Sequence, residues 1–371
     1  MNSTAPLITL ILCSRNDSYM GNSKWRLETS INLALLNAKK ANMLNQVEII
    51  VADWGSDIPL SDVLVLVAES KNVVKFVHIP ESLAKKEQKD SKFPEVIALN
   101  AAARRASGQY IGRIDNDTVV GYNFFTNFRN LHDNDANRDL ILKDSFLFVE
   151  RKSIPFRISR LSMPLVQISK FIERFKKHFK VESATDWGKE FWWSPVGIMI
   201  FHRDIWQACR GYDERLIYWG WMEGDLALRL GQKHSVIEFS NFVGHHFYHL
   251  EHYPSLTAYK DRNGPATPRK KNEPVFDNLT YSANDEGWGM YTFNEVQLKD
   301  YHPNSSISFA SDTKAGIVNY FLYYPRISFA LIHRKVDQLK ISFVPFLTNC
   351  LNQVRIFFGG LRNNFLRFLV S

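Results

Sequence analysis

The chain has 371 residues, of which 45% are apolar and 23% charged, and this composition excludes global disorder and supports a sizeable core. Its length fits one large domain with an appendage, or two domains. The formal net charge of +8 is concentrated in two segments: residues 151–180 contain nine Lys or Arg and one acid, and residues 321–371 contain seven and one. Localised positive charge of this kind favours an anionic surface as a partner.

The cysteines and the apolar runs indicate the cellular compartment in which we expect the protein. The three cysteines are widely spaced and odd in number, which excludes a disulfide framework and a zinc pattern and favours a reducing, cytoplasmic compartment. The apolar run 6–13 lacks the basic flank and the cleavage site of a signal peptide, so we expect none. No stretch reaches the roughly 18 apolar residues that a membrane-spanning helix requires.

Strands and helices alternate in the first third of the chain. Apolar runs of strand length and segments of helical periodicity follow one another at 7–13, 26–40, 47–52, 61–69, 73–79, 94–105 and 110–114. Such alternation predicts an α/β fold in which a mostly parallel central sheet carries helices on both faces.

The second half of the chain is less regular. Residues 145–190 are basic and Phe-rich and are predicted to be an insertion with a helix at 165–179. Shorter elements follow, with 196–201 and 236–239 predicted as strands, 204–210 and 226–230 as helices, and 262–290 as loop. We therefore expect a catalytic domain at 1–300 and a basic, amphipathic, helical appendage at 301–371.

Polar residues directly follow three of the predicted strands. They form the segments Ser14–Asp17, Asp53–Asp57 and Asp115–Asp117. Because the carboxyl ends of parallel strands share one edge of a sheet, where ligands bind, these loops predict a nucleotide site. Ordinary solvated loops are the alternative.

The pair Asp115 and Asp117 suits a divalent cation. Mn²⁺ and Mg²⁺ prefer carboxylate oxygens and can bridge a protein to a nucleoside diphosphate. Such a cation stabilises the charge that grows on a departing diphosphate. An isolated D-x-D is common, and the preceding apolar strand strengthens the prediction here.

The segment Tyr218–Asp225 combines aromatic residues, glycines and acids. Aromatic faces stack on sugar rings, glycine permits close approach of a ligand, and a carboxylate can act as a general base. The alternative is a set of core aromatics, with Asp225 as an acid favoured at a helix N-terminus.

Four histidines lie within eight positions: His245, His246, His249 and His252. Imidazole is a common ligand of transition metals. Strand alternation does not decide which of the four binds a cation.

These motifs together resemble glycosyltransferase family 2 and related GT-A enzymes over about residues 7–290. ILCSRND is similar to the first strand and nucleotide loop, VADWGS to the V-D-D-G-S segment, and IALNAAARRASGQYIGRIDND to the block that ends in D-x-D. The resemblance implies that Asp53 contacts the nucleobase or ribose, that Asn100 lies near the donor, and that Asp117 binds the cation. The implied donor-binding residues are Ser14, Arg15, Asp53, Asn100, Arg113, Asp115 and Asp117.

The later part is similar to β-1,4-galactosyltransferases and chondroitin-polymerase-type enzymes, in which a histidine after the next strand completes the metal site. HLEH and RKKNEP resemble that stretch. The implied ligands of Mn²⁺ or Mg²⁺ are Asp117 and Asp115 with His249 as the first choice of histidine and His252 as the second.

CRGYDERLIYWGWMEGDLALRL resembles the acceptor-side motif, with one departure. Met222 stands where the family has Glu, and Glu223 where it has Asp. The resemblance then implies Glu223 as the base, with Asp225 as the second choice. Trp219, Gly220 and Trp221 are the implied acceptor-binding residues.

The implied activity is inverting transfer of a hexosyl or N-acetylhexosaminyl group from a nucleotide-sugar, with UDP-sugar as the expected donor. The acceptor would be a saccharide or a lipid-linked saccharide in surface polysaccharide synthesis. The rivals are a nucleotidyltransferase, whose Gly-rich phosphate loop is missing after the first strand, and a non-catalytic carbohydrate-binding protein.

The two basic segments suit an anionic membrane surface. We therefore expect a cytoplasmic protein, with peripheral association at the inner face of the cytoplasmic membrane as a hypothesis. Packing of the tail against the catalytic domain is the alternative. Nucleic acid is not expected, because no motif of a nucleic-acid-binding fold is present.

Overall fold

The structure, a computed structural model, describes residues 5–134, 142–182, 197–252, 271–272, 275, 280–302 and 306–307. The chain divides into two compact units, Met1–Gly316 and Ile317–Ser371. Every described residue belongs to the first unit, so the predicted appendage lies almost entirely outside the described residues. Within them, no helix combines the length and apolarity needed to cross a membrane.

Fourteen strands and ten helices are described, together with two 3₁₀ turns at Leu44–Gln46 and Ala68–Ser70. The strands are β1 (Ile8–Ser14), β2 (Val47–Trp54), β3 (Leu66–Val67), β4 (Val74–Ile79), β5 (Tyr110–Arg113), β6 (Thr118–Val120), β7 (Ser145–Phe148), β8 (Arg151–Ile154), β9 (Lys180–Glu182), β10 (Met199–His202), β11 (Ser235–Glu238), β12 (Phe247–Leu250), β13 (Leu298–Asp300) and β14 (Ser306–Ile307). The helices are α1 (Ser23–Lys40), α2 (Leu60–Val63), α3 (Glu81–Glu87), α4 (Glu95–Arg105), α5 (Tyr122–Asn134), α6 (Phe156–Ser159), α7 (Leu165–Phe175), α8 (Arg203–Cys209), α9 (Met222–Leu230) and α10 (Ser240–Val243).

The central sheet has eight strands in the order β11-β7-β10-β5-β1-β2-β4-β13. Six of them run in the same direction, while β10 and β13 are antiparallel to their neighbours. Strands β1 and β2 are buried along their whole length, as expected of parallel strands covered on both sides. The predicted α/β fold with a mostly parallel sheet is confirmed.

Helices cover both faces of this sheet. On one face, the side chain of Ile111 joins the core cluster that contains α4 and Trp206 of α8. Its neighbour Tyr110 points to the other face, where its ring meets the ring of Phe128 on α5 edge-on at 5.4 Å between centroids.

Two segments differ from the sequence-based prediction. The helix predicted at 61–69 is limited to α2, because the side chains of α1 hold the following residues extended: Asn32 donates to the Val65 carbonyl (3.2 Å) and accepts from the Val67 amide (2.8 Å). The predicted insertion at 145–190 begins inside the central sheet, since β7 pairs with both β10 and β11.

A second sheet has four strands in the order β6-β12-β8-β9. Strand β12 is antiparallel to β6 and parallel to β8, and β8 is antiparallel to β9. Strand β6 begins with Thr118, five residues after the last residue of β5. The small sheet therefore lies beside the carboxyl end of β5.

A buried carboxylate connects the amino ends of neighbouring strands in the central sheet. Glu48 on β2 accepts hydrogen bonds from the Thr9 hydroxyl (2.6 Å), the Lys75 ammonium (2.8 Å) and the Ser107 amide (2.8 Å). Burial alone would raise the pKa of Glu48, but the bonds from Lys75, Thr9 and Ser107 outweigh it and lower the pKa below the usual 4.5.

We expect Glu48→Gln to lower the free energy of unfolding by about 1–3 kcal/mol at pH 7, because the ionised acceptor of three donors is lost. Since the pKa is lower in the folded than in the unfolded protein, this contribution is present above the unfolded-state pKa and is lost as the pH falls through the folded-state pKa. Urea unfolding of both proteins at decreasing pH checks this. A difference between them that stays constant with pH would contradict it.

Candidate active site and cation site

The three loops predicted to form a nucleotide site meet at the carboxyl edge of the central sheet. The hydroxyl of Ser14 accepts from the Asn116 side chain at 3.1 Å, and the amide of Asn16 donates to the Ser56 hydroxyl at 2.8 Å. Hydrogen bonds thus connect the loop after β1 to the loops after both of its neighbours. Arg15 lies at the rim, paired with Asp17 at 3.0 Å.

One carboxylate and two imidazoles converge beside this edge. Ligand atoms of Asp117, His249 and His252 all lie within 4.8 Å of one another. The antiparallel register pairs Thr118 of β6 with His249 of β12, and the Leu250 amide donates to the Asp117 carbonyl at 2.9 Å. Backbone pairing in the small sheet therefore brings the aspartate to the histidines.

These residues fit a divalent cation. Asp117 Oδ1 is buried and has no hydrogen-bond partner among the described residues, which is costly unless something satisfies it. Burial alone would raise the pKa of Asp117, but His249, His252 and Arg26 lower it to about 2, so the carboxylate is ionised at neutral pH. A mixed oxygen and nitrogen donor set suits Mn²⁺ better than Mg²⁺.

Asp117 is also held by a buried arginine. Arg26 donates from Nη1 to Asp117 Oδ2 at 2.6 Å and from Nη2 to the Tyr19 carbonyl at 2.7 Å, and only 2% of its side chain is exposed. The arginine occupies one carboxylate oxygen and leaves Oδ1 for a ligand. It fixes the side chain of Asp117 in this orientation.

The other two histidines lie outside the cluster. His245 Nε2 is paired with Glu150 at 2.9 Å. The pKa of His246 is lowered to about 4 by burial, and by Lys176 and Lys152. The structure thus groups the first and second choices of histidine together and separates them from their neighbours.

Asp115 does not join the cation cluster, although the resemblance implied that it would. One of its oxygens faces Arg113 Nη2 at 2.7 Å, and the other faces Arg151 Nη1. A Cβ at Gly197 would lie only 2.1 Å from Asp115 Oδ2, so the backbone of Gly197 covers this oxygen. Two guanidinium groups therefore occupy the carboxylate of Asp115.

Glu223 lies in the first turn of α9, at the same edge. Its Oε1 is 3.5 Å from Arg113 Nη2, an atom that also contacts Glu95 at 2.5 Å. Burial is the main cause that raises the pKa of Glu223 to about 7; Arg113 opposes the shift and Glu95 adds to it. A carboxyl that titrates near neutral pH is suited to general base catalysis.

The aromatic loop before α9 has a constrained backbone. Gly220 has φ 92°, and Trp221, the residue before the helix, has φ 72°, which is unfavourable for a bulky side chain. Asn272 stabilises the loop, since its side-chain amide donates to the carbonyls of Tyr218 and Gly220, both at 2.8 Å. Trp219 is left 44% exposed, as a sugar-stacking residue would be.

Asp225 lies in the interior of the fold. It pairs with Arg229 at 2.7 Å, and both side chains are fully buried. Arg229 also donates to the Gly211 carbonyl at 2.9 Å. The role of Asp225 as the second choice of base stays a prediction.

Two predicted donor-binding residues are also enclosed by the fold. Asn100 is fully buried, with its amide donating to the Tyr212 carbonyl and its oxygen accepting from the Tyr212 amide, both at 2.8 Å. Asp53 accepts from the Ser56 hydroxyl and from the Leu60 amide at 2.8 Å, and its side chain is 1% exposed. Both side chains bond protein groups in this structure, and their contact with a donor stays a prediction.

The sequence-based prediction assigns no role to four residues that contact the site. They are Arg26, Glu95, Glu182 and Asn272, which contact predicted residues 18 to 91 positions away in the chain. Asn272 lies within RKKNEP, and Arg151 lies within the basic segment 151–180. Arg26 was the one with a usable signal, since it is a charged residue within the apolar periodicity of α1.

Comparisons with known proteins give structural neighbours only. No family model matches the chain, and no curated protein matches it. Among solved structures, the chain is similar to the catalytic domain of Drosophila β1,4-galactosyltransferase 7 in complex with xylobiose, with a TM-score of 0.39 and 12% identity over 73% of this chain and 80% of that one. It is also similar to S. aureus TarS 1–349 in complex with UDP-GlcNAc, with a TM-score of 0.37 and 13% identity over 65% of this chain and 57% of that one. At this level of similarity, the activity of the chain has to be inferred from its own residues.

We expect the protein to bind one Mn²⁺ through Asp117, His249 and His252. The substitutions His249→Ala, His252→Ala and Asp117→Asn should each weaken Mn²⁺ binding by at least about tenfold, because each removes a ligand. Electron paramagnetic resonance of free Mn²⁺ measures the dissociation constant. His245→Ala is the matched control and should bind as the wild type does. Equal loss in the control, or no loss in the three variants, would contradict the assignment.

Proposed function

We propose that the chain is a cation-dependent, inverting glycosyltransferase of the GT-A type that moves a sugar from a nucleotide diphosphate to a saccharide acceptor. The proposal is supported chiefly by one observation: the Asp117–His249–His252 cluster and Glu223 lie at the same carboxyl edge of a mostly parallel sheet. Ligands bind at this edge in such sheets.

The cluster would bind the cation on the donor side. Asp117 is ionised, held by Arg26, and leaves Oδ1 for ligation, while the two imidazoles complete the set. A bound Mn²⁺ would supply positive charge where a departing diphosphate becomes more negative.

Glu223 would take the proton from the acceptor hydroxyl. The nearby Arg113 holds its carboxylate in place and partly offsets the effect of burial on its pKa. Trp219 and Trp221 shortly precede Glu223 in the chain and would stack on the acceptor sugar. This stacking would align the acceptor hydroxyl for in-line attack on the anomeric carbon of the donor. In-line attack inverts the anomeric configuration.

We expect Glu223→Gln to lower the rate of sugar transfer or nucleotide-sugar hydrolysis by at least about 100-fold, as loss of a general base does. Mn²⁺ affinity should remain unchanged, because Glu223 is not a ligand. In the wild type the rate should fall as the pH drops below about 7, since the base is then protonated. A panel of nucleotide-sugars with Mn²⁺ provides the assay.

The control is Glu81→Gln, which changes an exposed acid in the first turn of another helix. It should leave the rate and its pH dependence unaltered. Full activity of Glu223→Gln would refute the proposed base. A nucleotidyl group transferred in place of a sugar would refute the reaction class.

We further propose that the basic segment 151–180 adsorbs to an anionic membrane. The apolar side of α7, including Ile168 and Phe171, is buried in the fold, so this helix cannot insert into lipid. The exposed residues of α7 and of the segments on either side of it include six cations: Arg157, Arg160, Lys170, Arg174, Lys177 and Lys180. Electrostatic attraction contributes about 1 kcal/mol for each basic residue near an anionic surface.

The combined change of Lys170, Arg174 and Lys177 to Glu should weaken binding to vesicles that contain phosphatidylglycerol by at least about 100-fold. Vesicles of phosphatidylcholine alone should bind neither protein. A double change of Lys85 and Lys86 to Glu, which alters exposed lysines of α3, is the control in this sedimentation assay. Unchanged binding of the triple variant would contradict adsorption through this segment.

A further inference from the structure

Glu182, the last residue of β9, divides its two carboxylate oxygens between two partners. Oε2 accepts from Arg151 Nε at 2.6 Å, and Oε1 lies 3.2 Å from His249 Nδ1. Glu182 therefore contacts a predicted ligand, His249, but is not itself a member of the Asp117–His249–His252 cluster.

The contact with His249 crosses the small sheet. Glu182 on β9 stands opposite Arg151 on β8, whereas His249 on β12 stands opposite Ser153, two residues further along β8. Alternation along β8 puts Arg151 and Ser153 on the same face, so Glu182 and His249 share that face. The side chain of Glu182 extends from β9 across β8 to β12, a distance of about two strand spacings. The pairing of β9 with β8 does not by itself require this contact.

This contact determines which nitrogen of the imidazole faces the cation site. When a carboxylate accepts the proton of Nδ1, Nε2 carries the lone pair. His249 Nε2 points toward Asp117 Oδ1, at 3.7 Å. The neighbouring ring of His252 lies edge-on to it, with 5.3 Å between centroids.

From this geometry we propose that Glu182 is a positioning residue that holds His249 in the ring orientation and tautomer needed to bind the cation through Nε2. Carboxylates that hydrogen-bond to metal-binding histidines fix the ring and raise its basicity. The inference rests on the cation site of the proposed function and does not depend on the reaction that the site serves.

Arg151 fixes Glu182 in turn. Its guanidinium also binds Asp115, and a Cβ at Gly197 would approach Arg151 Nη1 to 2.9 Å, so backbone covers the group. Asp115 contacts Arg113, which contacts the proposed base Glu223. One continuous row of alternating charges therefore connects the cation site with the base.

A purely structural role for Glu182, as a cross-strand ion pair with Arg151, makes a different prediction. Loss of such a pair lowers the stability of the sheet and leaves the intrinsic affinity for a cation unchanged. A positioning role lowers the affinity in the folded protein. Mn²⁺ affinity measured on folded protein separates the two roles.

The test compares Glu182→Ala and Glu182→Gln with the wild type, using full-length protein, Mn²⁺ as the ligand and electron paramagnetic resonance as the readout. We expect Glu182→Ala to raise the dissociation constant about 10- to 100-fold. Glu182→Gln keeps an oxygen that can accept a hydrogen bond from Nδ1 but loses the negative charge. Its dissociation constant for Mn²⁺ should therefore lie between those of the wild type and Glu182→Ala. Glu173→Ala, which removes an exposed acid paired with Lys176, should match the wild type.

Circular dichroism establishes that each variant is folded. A folded Glu182→Ala with wild-type affinity and a lower melting temperature would overturn the proposal and leave only the structural role. If Glu182→Ala does not fold, Glu182→Gln decides alone, and an unchanged dissociation constant would overturn it. A wild type that binds no Mn²⁺ would overturn the cation site together with this inference, whereas a wild type that binds Mn²⁺ and transfers no sugar would refute only the proposed reaction.

Discussion

The antiparallel pairing of β6 with β12 is the constraint on which the candidate site depends. It places Thr118 opposite His249 and joins the Asp117 carbonyl to the Leu250 amide. Because β6 follows β5 after a short turn, the same pairing connects the small sheet to the carboxyl edge of the central one. Without this register, Asp117 would not lie within ligand distance of His249 and His252.

Charge in this region is arranged as a row and not as isolated pairs. From the base towards the cation site, the charged groups alternate in sign: Glu223, Arg113, Asp115, Arg151 and Glu182, and Glu182 contacts His249. Buried ions are costly, and this cost is offset only when each ion has close partners of opposite charge. The three inner members, Arg113, Asp115 and Arg151, each have such partners on both sides.

The fold was largely predictable because buried parallel strands are apolar along their whole length and alternate with amphipathic helices. Segment 61–69 shows the limit of that reasoning. Its apolar spacing also suits a helix, and contacts from Asn32 on α1 select the extended form. The hydrophobic pattern of a segment does not show which side chains of other elements will bond to its backbone.

Motifs have a similar limit for predicting the residues of the candidate site. Asp117, His249 and Glu223 were predicted because motif and spacing identify residue types that suit the chemistry. Motifs do not show whether the fold encloses a side chain. The structure surrounds Asn100 and Asp53, predicted to contact the donor, and Asp225, the second choice of base, with protein groups.

The residues that support the site were missed for a related reason. Arg26 is 91 positions from Asp117, and Glu182 is 67 positions from His249. Such contacts arise only when the two sheets have formed. Motifs in the sequence therefore indicate candidate reactive groups, but not the groups that contact them in the fold.

If Asp117, His249 and His252 hold a cation that binds the diphosphate of a nucleotide-sugar, Mn²⁺ and UDP must each strengthen the binding of the other. Calorimetric titration of UDP and UDP-sugars into the protein, with and without Mn²⁺, measures this coupling. We expect UDP to bind at least about tenfold more tightly with Mn²⁺, and this gain to disappear in His249→Ala. Equal affinity for UDP with and without Mn²⁺ would show that the cluster does not bind the donor through a cation.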